Sequence, residues 1–258
     1  MEGENAALGE GTDTSPRVAL VTGASRRVGR AIALALARCG HDVAVHYRQS
    51  HEEAVETGRE IESLGRRAVL IHGDLLESSS WGRIVAETVE ALDGLDVLIN
   101  NASAFLTAEP DTIEAFDEAL WERMLRINLI APAGLAHHAA PHLRKGRDGL
   151  IVNLCDAATD RPWKRHLAYQ SSKAGLACLT RTLARTLAPE VRVNGVAPGL
   201  AVFPESYTAK QRDRLTEQVP LGRAGSPEDV ASMVCHLATS CRYVTGEIIR
   251  VDGGRGLT

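Results

Sequence analysis

The chain alternates short, continuously apolar runs with longer segments whose apolar residues recur at helical spacing. Val18–Val21, Asp42–His46, Ala68–His72, Val97–Ile99, Leu150–Leu154, Val191–Val196 and Glu247–Val251 read as strands. Between them, helices are predicted over Val28–Cys39, Glu52–Leu64, Ser79–Leu92, Phe116–Leu143, Ala168–Leu187 and Glu228–Thr239. Gly40 and Gly65 stop the first two, as residues that accept left-handed backbone commonly do. The Phe116–Leu143 pattern is expected to bend or break near Pro132, because proline lacks an N–H and crowds the preceding turn. Strands apolar along their whole length are buried on both faces, and their alternation with helices predicts a parallel sheet between two helical layers. Right-handed crossovers then give a doubly wound topology. The expected fold class is α/β: one domain over residues 16–258, with a seven-stranded, mainly parallel sheet and helices on both faces. Pro198 to about Thr208 is irregular and reads as a loop that could cover a site.

Composition narrows the partners. At 258 residues, 44% hydrophobic and 24% charged, the chain has the make-up of one folded α/β domain. Net charge is −4 and no long basic run occurs, so no nucleic-acid partner is expected. Arg144, Lys145 and Arg147 lie beside glycines and read as a solvated loop. No apolar stretch approaches the roughly 20 residues of a membrane span. Residues 1–15 are acidic and glycine-rich without an apolar segment, and are expected to form a disordered tail rather than a secretory signal. Cys39, Cys155, Cys178, Cys235 and Cys241 include no CxxC pair and are expected to be reduced thiols in a cytoplasmic protein. His138 and His142 are separated by Pro141 with no carboxylate near, so no metal site is expected.

Chemistry gathers where strands end. The first strand runs into Thr22-Gly23-Ala24-Ser25-Arg26-Arg27-Val28-Gly29, a glycine turn that opens a helix and suits a pyrophosphate. The second ends in His46-Tyr47-Arg48-Gln49-Ser50. No acid stands there to hold a ribose 2′-OH, whereas Arg48 and Ser50, with Arg26 as a further cation, can hold a 2′-phosphate. NADPH/NADP is therefore the expected cofactor. After the fifth strand come Asp156 and then Tyr169 and Lys173, four apart on one helix face. The ammonium is expected to lower the tyrosine pKa and to reach the nicotinamide ribose.

From Val18 to the end, these motifs resemble the short-chain dehydrogenase/reductase family, whose fold is a Rossmann-type sheet. The resemblance implies roles for further residues. Asp74 and Leu75, in Gly73-Asp74-Leu75, stand at an adenine contact, although Asp74 could equally cap a helix. Asn101, Ala102 and Ser103 match a cofactor-binding segment in which Ser103 replaces glycine. Asn128 matches an asparagine that holds a proton-relay water, and Pro198, Gly199 and Leu200 follow the strand beneath the nicotinamide. Gly23, Val28, Gly29 and Tyr47 complete the implied cofactor set.

Two departures matter. Arg27 replaces the middle glycine of TGxxxGxG, and Asp156 replaces a serine. Together with Phe105 and the His46-Tyr47-Arg48 strand end they resemble the pteridine reductase branch, as do Leu187-Ala188-Pro189-Glu190-Val191 and Val202-Phe203-Pro204-Glu205 the dihydromonapterin reductases. In that branch an aromatic residue at the position of Phe105 stacks on a pterin. The resemblance implies a pterin or folate-like substrate touched by Arg27, Ser103, Phe105, Asp156, Tyr169 and Leu200, and a homotetramer. A carboxylate accepts from the N–H donors of such a ring, whereas a serine hydroxyl suits a ketone oxygen. The alternatives are a carbonyl reductase of 3-oxoacyl thioesters and a non-catalytic NADP(H)-sensing protein.

Overall fold

The computed structural model describes residues 15–105, 111–203 and 207–258. The tail expectation falls on residues almost wholly outside these, as do Pro204 and Glu205 of the Val202–Glu205 segment. Seven strands form one sheet: β1 (Arg17–Val21), β2 (His41–Tyr47), β3 (Ala68–His72), β4 (Val97–Asn100), β5 (Gly149–Leu154), β6 (Val191–Pro198) and β7 (Ile248–Val251). Their order is β3-β2-β1-β4-β5-β6-β7, and every pairing is parallel. The order reverses between β1 and β4, which opens a crevice at the carboxyl ends of the strands.

Alternation along each strand feeds two cores. Ala19, Val21, Val97 and Ile99 pack toward α1 (Arg27–Arg38), α2 (His51–Ser63) and α8 (Pro227–Thr239). Val18, Leu20 and Leu98 pack toward α3 (Ser78–Leu92), α5 (Ala131–Leu143) and α6 (Leu167–Leu187). No helix among the described residues is long and apolar enough to cross a membrane.

Three differences from the sequence reading have physical causes. The long Phe116–Leu143 pattern divides before Pro132, not at it. α4 (Glu118–Leu125), capped by Asp117, runs into a π-helical turn over Arg126–Ile130 and then into α5. Pro132 lies in the first turn of α5, where a missing N–H costs little. An eighth helix, α7 (Ala209–Thr216), follows the irregular stretch and starts on a Thr208–Gln211 capping box. Cys39 and Cys235 are not free thiols but a disulfide. They lie far apart in sequence, and only the packing of α1 on α8 brings them together. Cys155, Cys178 and Cys241 are free.

Candidate active site

The carboxyl ends of β1 to β6 converge on the crevice, and each carries a segment singled out in the sequence. After β1 the chain turns at Gly23, which has φ +63°. Gly29 packs against that turn so closely that a Cβ there would lie 2.1 Å from the Gly23 carbonyl oxygen and 2.5 Å from Asn101 Nδ2. Asn101 clamps the turn from β4, donating to the Thr22 and Gly23 carbonyls at 2.8 and 3.2 Å. Thr22 Oγ1 accepts from the amides of Asn101 and Ala102 at 2.9 and 3.0 Å. Asn101 and Ala102 thus shape the turn from behind. The Gly23 and Ala24 amides are spent on His46, so an anion at this loop would meet the first turn of α1. Arg26 is its N-cap, Ser25 is buried beneath it and Val28 is half-buried. Arg27 opens the helix at φ +52°, a left-handed conformation that costs a non-glycine residue on the order of 1 kcal/mol or more.

At the ends of β2 and β3, Arg48 Nη1 lies 3.6 Å from Asp74 Oδ2. Asp74 also accepts from the Leu76 amide at 2.9 Å, so it caps its own turn while facing Arg48. Leu75 is buried, Ser50 is the N-cap position of α2, and the Tyr47 hydroxyl is bonded to His51 Nδ1 at 2.8 Å. These groups form a polar patch one strand over from the glycine turn.

On the other side of the crevice stand Asp156, Tyr169 and Lys173. Asp156 Oδ1 accepts from the Ala158 amide at 2.8 Å, capping a 3-10 turn over Ala157–Thr159. That bond aims the second oxygen: Tyr169 Oη donates to Asp156 Oδ2 at 2.6 Å. The cap and the acceptor roles are therefore one arrangement. Burial, followed by the charge and hydrogen bond of Asp156, pushes the Tyr169 pKa well above the usual tyrosine range. The expectation that Lys173 lowers it is corrected. The Lys173 ammonium donates to the Leu154 carbonyl at 2.7 Å and lies 5.9 Å from the tyrosine ring centre, while the carboxylate is in direct contact. Burial in turn pulls the Lys173 pKa down.

Asn128 sits in the π turn, 1% exposed. Its Nδ2 donates to the Ala104 carbonyl and Ser172 Oγ, and its Oδ1 accepts from Ser103 Oγ and the Ala104 amide, at 2.8 to 3.1 Å. Both side-chain donors and the acceptor are engaged by protein, so its side chain anchors the 103–105 segment to α6 rather than holding a water. That segment carries Phe105, whose ring lies 4.7 Å from that of Tyr169, edge to face. Pro198 ends β6, and Gly199 packs on Asp252, where a Cβ would approach to 2.7 Å. Leu200 follows in a half-buried bend.

A glycine turn, a polar patch at the ends of β2 and β3 and a Tyr–Lys pair thus stand at the carboxyl ends of the strands. The family model for enoyl-(acyl carrier protein) reductase matches residues 23–255. The chain belongs to the short-chain dehydrogenase/reductase family. Within it, the chain is 34% identical over 242 residues to a 3-oxoacyl-[acyl-carrier-protein] reductase, FabG, of Staphylococcus aureus, covering 92% of this chain and 96% of that protein. It is 35% identical over 245 residues to an oxidoreductase of Methylorubrum extorquens, covering 92% and 97%. Among solved structures it is similar to FolM alternative dihydrofolate reductase 1 from Brucella suis in complex with NADP, with a TM-score of 0.88, 33% identity and coverage of 95% and 96%. A blue fluorescent protein from a metagenomic library, in complex with NADPH, gives a TM-score of 0.85 at 32% identity, covering 93% and 97%.

Further side chains complete this short-chain dehydrogenase/reductase site. Trp163 lies parallel to Tyr169 at 6.4 Å, and His166 sits 5.0 Å from Phe105. The loop that presents them is held by Gln170, which bonds the Trp163 amide and carbonyl at 2.6 and 3.1 Å, and by Asp111 at the His166 amide. The Phe105 and Trp163 rings thus flank Tyr169, and His166 packs against both of them. Arg255, on the C-terminal turn, is partly buried; burial lowers its pKa, and Asp156 and Tyr207 oppose that shift. A glutamine one turn into α6 and an arginine near the C-terminus carry no motif, so nothing in the sequence pointed to either.

Proposed function

We propose that this protein is an NADPH-dependent reductase of pterins, reducing a dihydropterin or dihydrofolate-like ring at a C=N bond. The observation that carries the reading is the 2.6 Å bond from Tyr169 to Asp156 inside an aromatic mouth. A carboxylate at this position offers acceptors and no donor, which suits the amino and ring N–H groups along a pterin edge. Phe105 and Trp163 suit a flat ring by offset stacking. Relatives bound to NADP and NADPH support the cofactor, and the FolM neighbour supports the substrate class. The residues fit that cofactor: the turn at Gly23 and Gly29 leaves the first turn of α1 for a pyrophosphate, Arg48 and Ser50 would hold a 2′-phosphate, and Lys173 is the cation beside Tyr169. Bound there, NADPH supplies the hydride. Tyr169 stays protonated at neutral pH and holds the proton for the ring nitrogen, while Asp156 aligns the ring and the phenol together.

The similarity to a 3-oxoacyl reductase favours a second reading, carbonyl reduction of a thioester substrate. Steady-state oxidation of NADPH separates the two. Turnover with dihydrobiopterin or dihydrofolate, at least tenfold above that with an acetoacetyl thioester, is expected. Turnover of the thioester alone overturns the pterin reading.

A further inference from the structure

His46 lies between the two halves of the candidate dinucleotide site and belongs to neither. It is the penultimate residue of β2 and 2% exposed. On one side its Nδ1 meets the Gly23 amide at 3.2 Å; on the other its Nε2 meets the Gly73 carbonyl at 3.2 Å. An amide N–H only donates and a carbonyl only accepts, so Nε2 carries the proton and Nδ1 is the acceptor. Burial keeps this imidazole neutral, with a pKa of about 4, as that tautomer requires. The Ala24 amide also bonds the His46 carbonyl at 2.9 Å, so the glycine turn is tied to this one residue twice.

The two ends of the ring reach different parts of the site. Gly23 sets the turn against which Gly29 and Asn101 pack, and so fixes where α1 begins. Gly73 directly precedes Asp74, which faces Arg48. We propose that His46 is a positioning residue that sets the spacing between the phosphate turn and the adenosine end of the site, so that a whole NADP(H) molecule fits both. This rests on the NADP(H) reading above. The neutral ring acts as a rigid spacer whose two nitrogens hold β1's turn and β3's loop at one separation.

Two substitutions take the spacer apart. In His46→Gln the side-chain amide reaches the place of Nε2 and keeps the Gly73 bond while abandoning Gly23. In His46→Asn the side-chain oxygen takes the place of Nδ1 and keeps Gly23 while abandoning Gly73. NADPH affinity is read by fluorescence titration, and the adenosine end alone by competition with adenosine 2′-monophosphate. His46→Gln is expected to weaken NADPH about tenfold, the loss of one hydrogen bond, with 2′-monophosphate affinity within about twofold of wild type. His46→Asn is expected to weaken both ligands. In both variants kcat at saturating NADPH stays within about twofold, since no reacting atom is touched. The proposal is overturned if the two ligands weaken in parallel in His46→Gln, which marks general loosening, or if NADPH affinity is unchanged in both variants. Should one variant fail to fold, the other decides: His46→Gln by a loss confined to NADPH, and His46→Asn by a loss of 2′-monophosphate affinity, whose retention at the wild-type level overturns the proposal. Failure of the wild-type protein to bind NADPH would overturn the cofactor reading itself and the proposal with it.

Discussion

Asp156 commits both carboxylate oxygens at once, one to the Ala158 amide and one to the Tyr169 hydroxyl. A serine in its place would have one oxygen for the same two tasks. The sign of the effect on Tyr169 follows from charge: a carboxylate beside a buried phenol opposes phenolate, so the folded pKa lies above the unfolded value near 10. The stability gained from the phenol is fully present below pH 10 and is lost only as pH rises through the folded value. Activity around neutrality is therefore expected to show no kinetic pKa from Tyr169. Asp156→Asn keeps an acceptor oxygen but removes the charge. Its tyrosinate titration, followed by ultraviolet absorbance, is expected to move to lower pH, with dihydropterin turnover down by about tenfold or more and NADPH affinity unchanged. A kinetic pKa near 7 that disappears in Tyr169→Phe would contradict this account.

At the scale of elements, the site depends on how tightly the strand ends are pinned. A Cβ on Gly29 would meet the Gly23 carbonyl at 2.1 Å, and that carbonyl belongs to a turn held by Asn101 and His46. Gly29→Ala must open the turn, so a loss of about 3 kcal/mol in chemical denaturation is expected, with a parallel loss of NADPH affinity. Normal affinity in a fully stable Gly29→Ala protein would show that the turn has slack. Gly23, Gly29, Tyr169 and Lys173 were legible because backbone sterics and helical spacing are local properties that leave a local pattern. All seven strands were legible for the same reason. The π turn was not: Arg126–Ile130 continues the helical pattern on either side of it, and only the inward placement of Asn128 distinguishes it. Nor was the Cys39–Cys235 link, which needs the docking of α8 on α1. α7 was legible in principle, since Thr208 and Gln211 form a capping box, but polar residues dominate the helix and no apolar period marks it.

Across the whole molecule, β2 carries a buried neutral histidine at each end, and this predicts how the fold responds to acid. His41, at the start, bonds the Leu36 carbonyl at 3.2 Å, and burial followed by the nearby charge of Arg17 holds its pKa at about 4. His46, at the other end, is held at about 4 by burial, with His72 and Arg83 also opposing a charge and the Gly73 carbonyl and Asp74 favouring one. In the unfolded chain both titrate near 6.5. Between pH 6.5 and 4 the unfolded state therefore binds protons that the folded state refuses, and stability falls as pH falls across that window. Each site can account for at most on the order of 3 kcal/mol, from the size of its shift. Because β2 lies inside the sheet, with β1 and β3 on either side, protonation at either end loosens the frame that carries the phosphate turn. The urea midpoint is expected to drop between pH 7.5 and 5.0, and His41→Gln is expected to flatten that drop by removing one of the two titrating groups. NADPH should restore part of the lost stability at pH 5.0, since it binds the folded state with His46 neutral. Equal midpoints at the two pH values would mean that neither ring is held neutral by the fold.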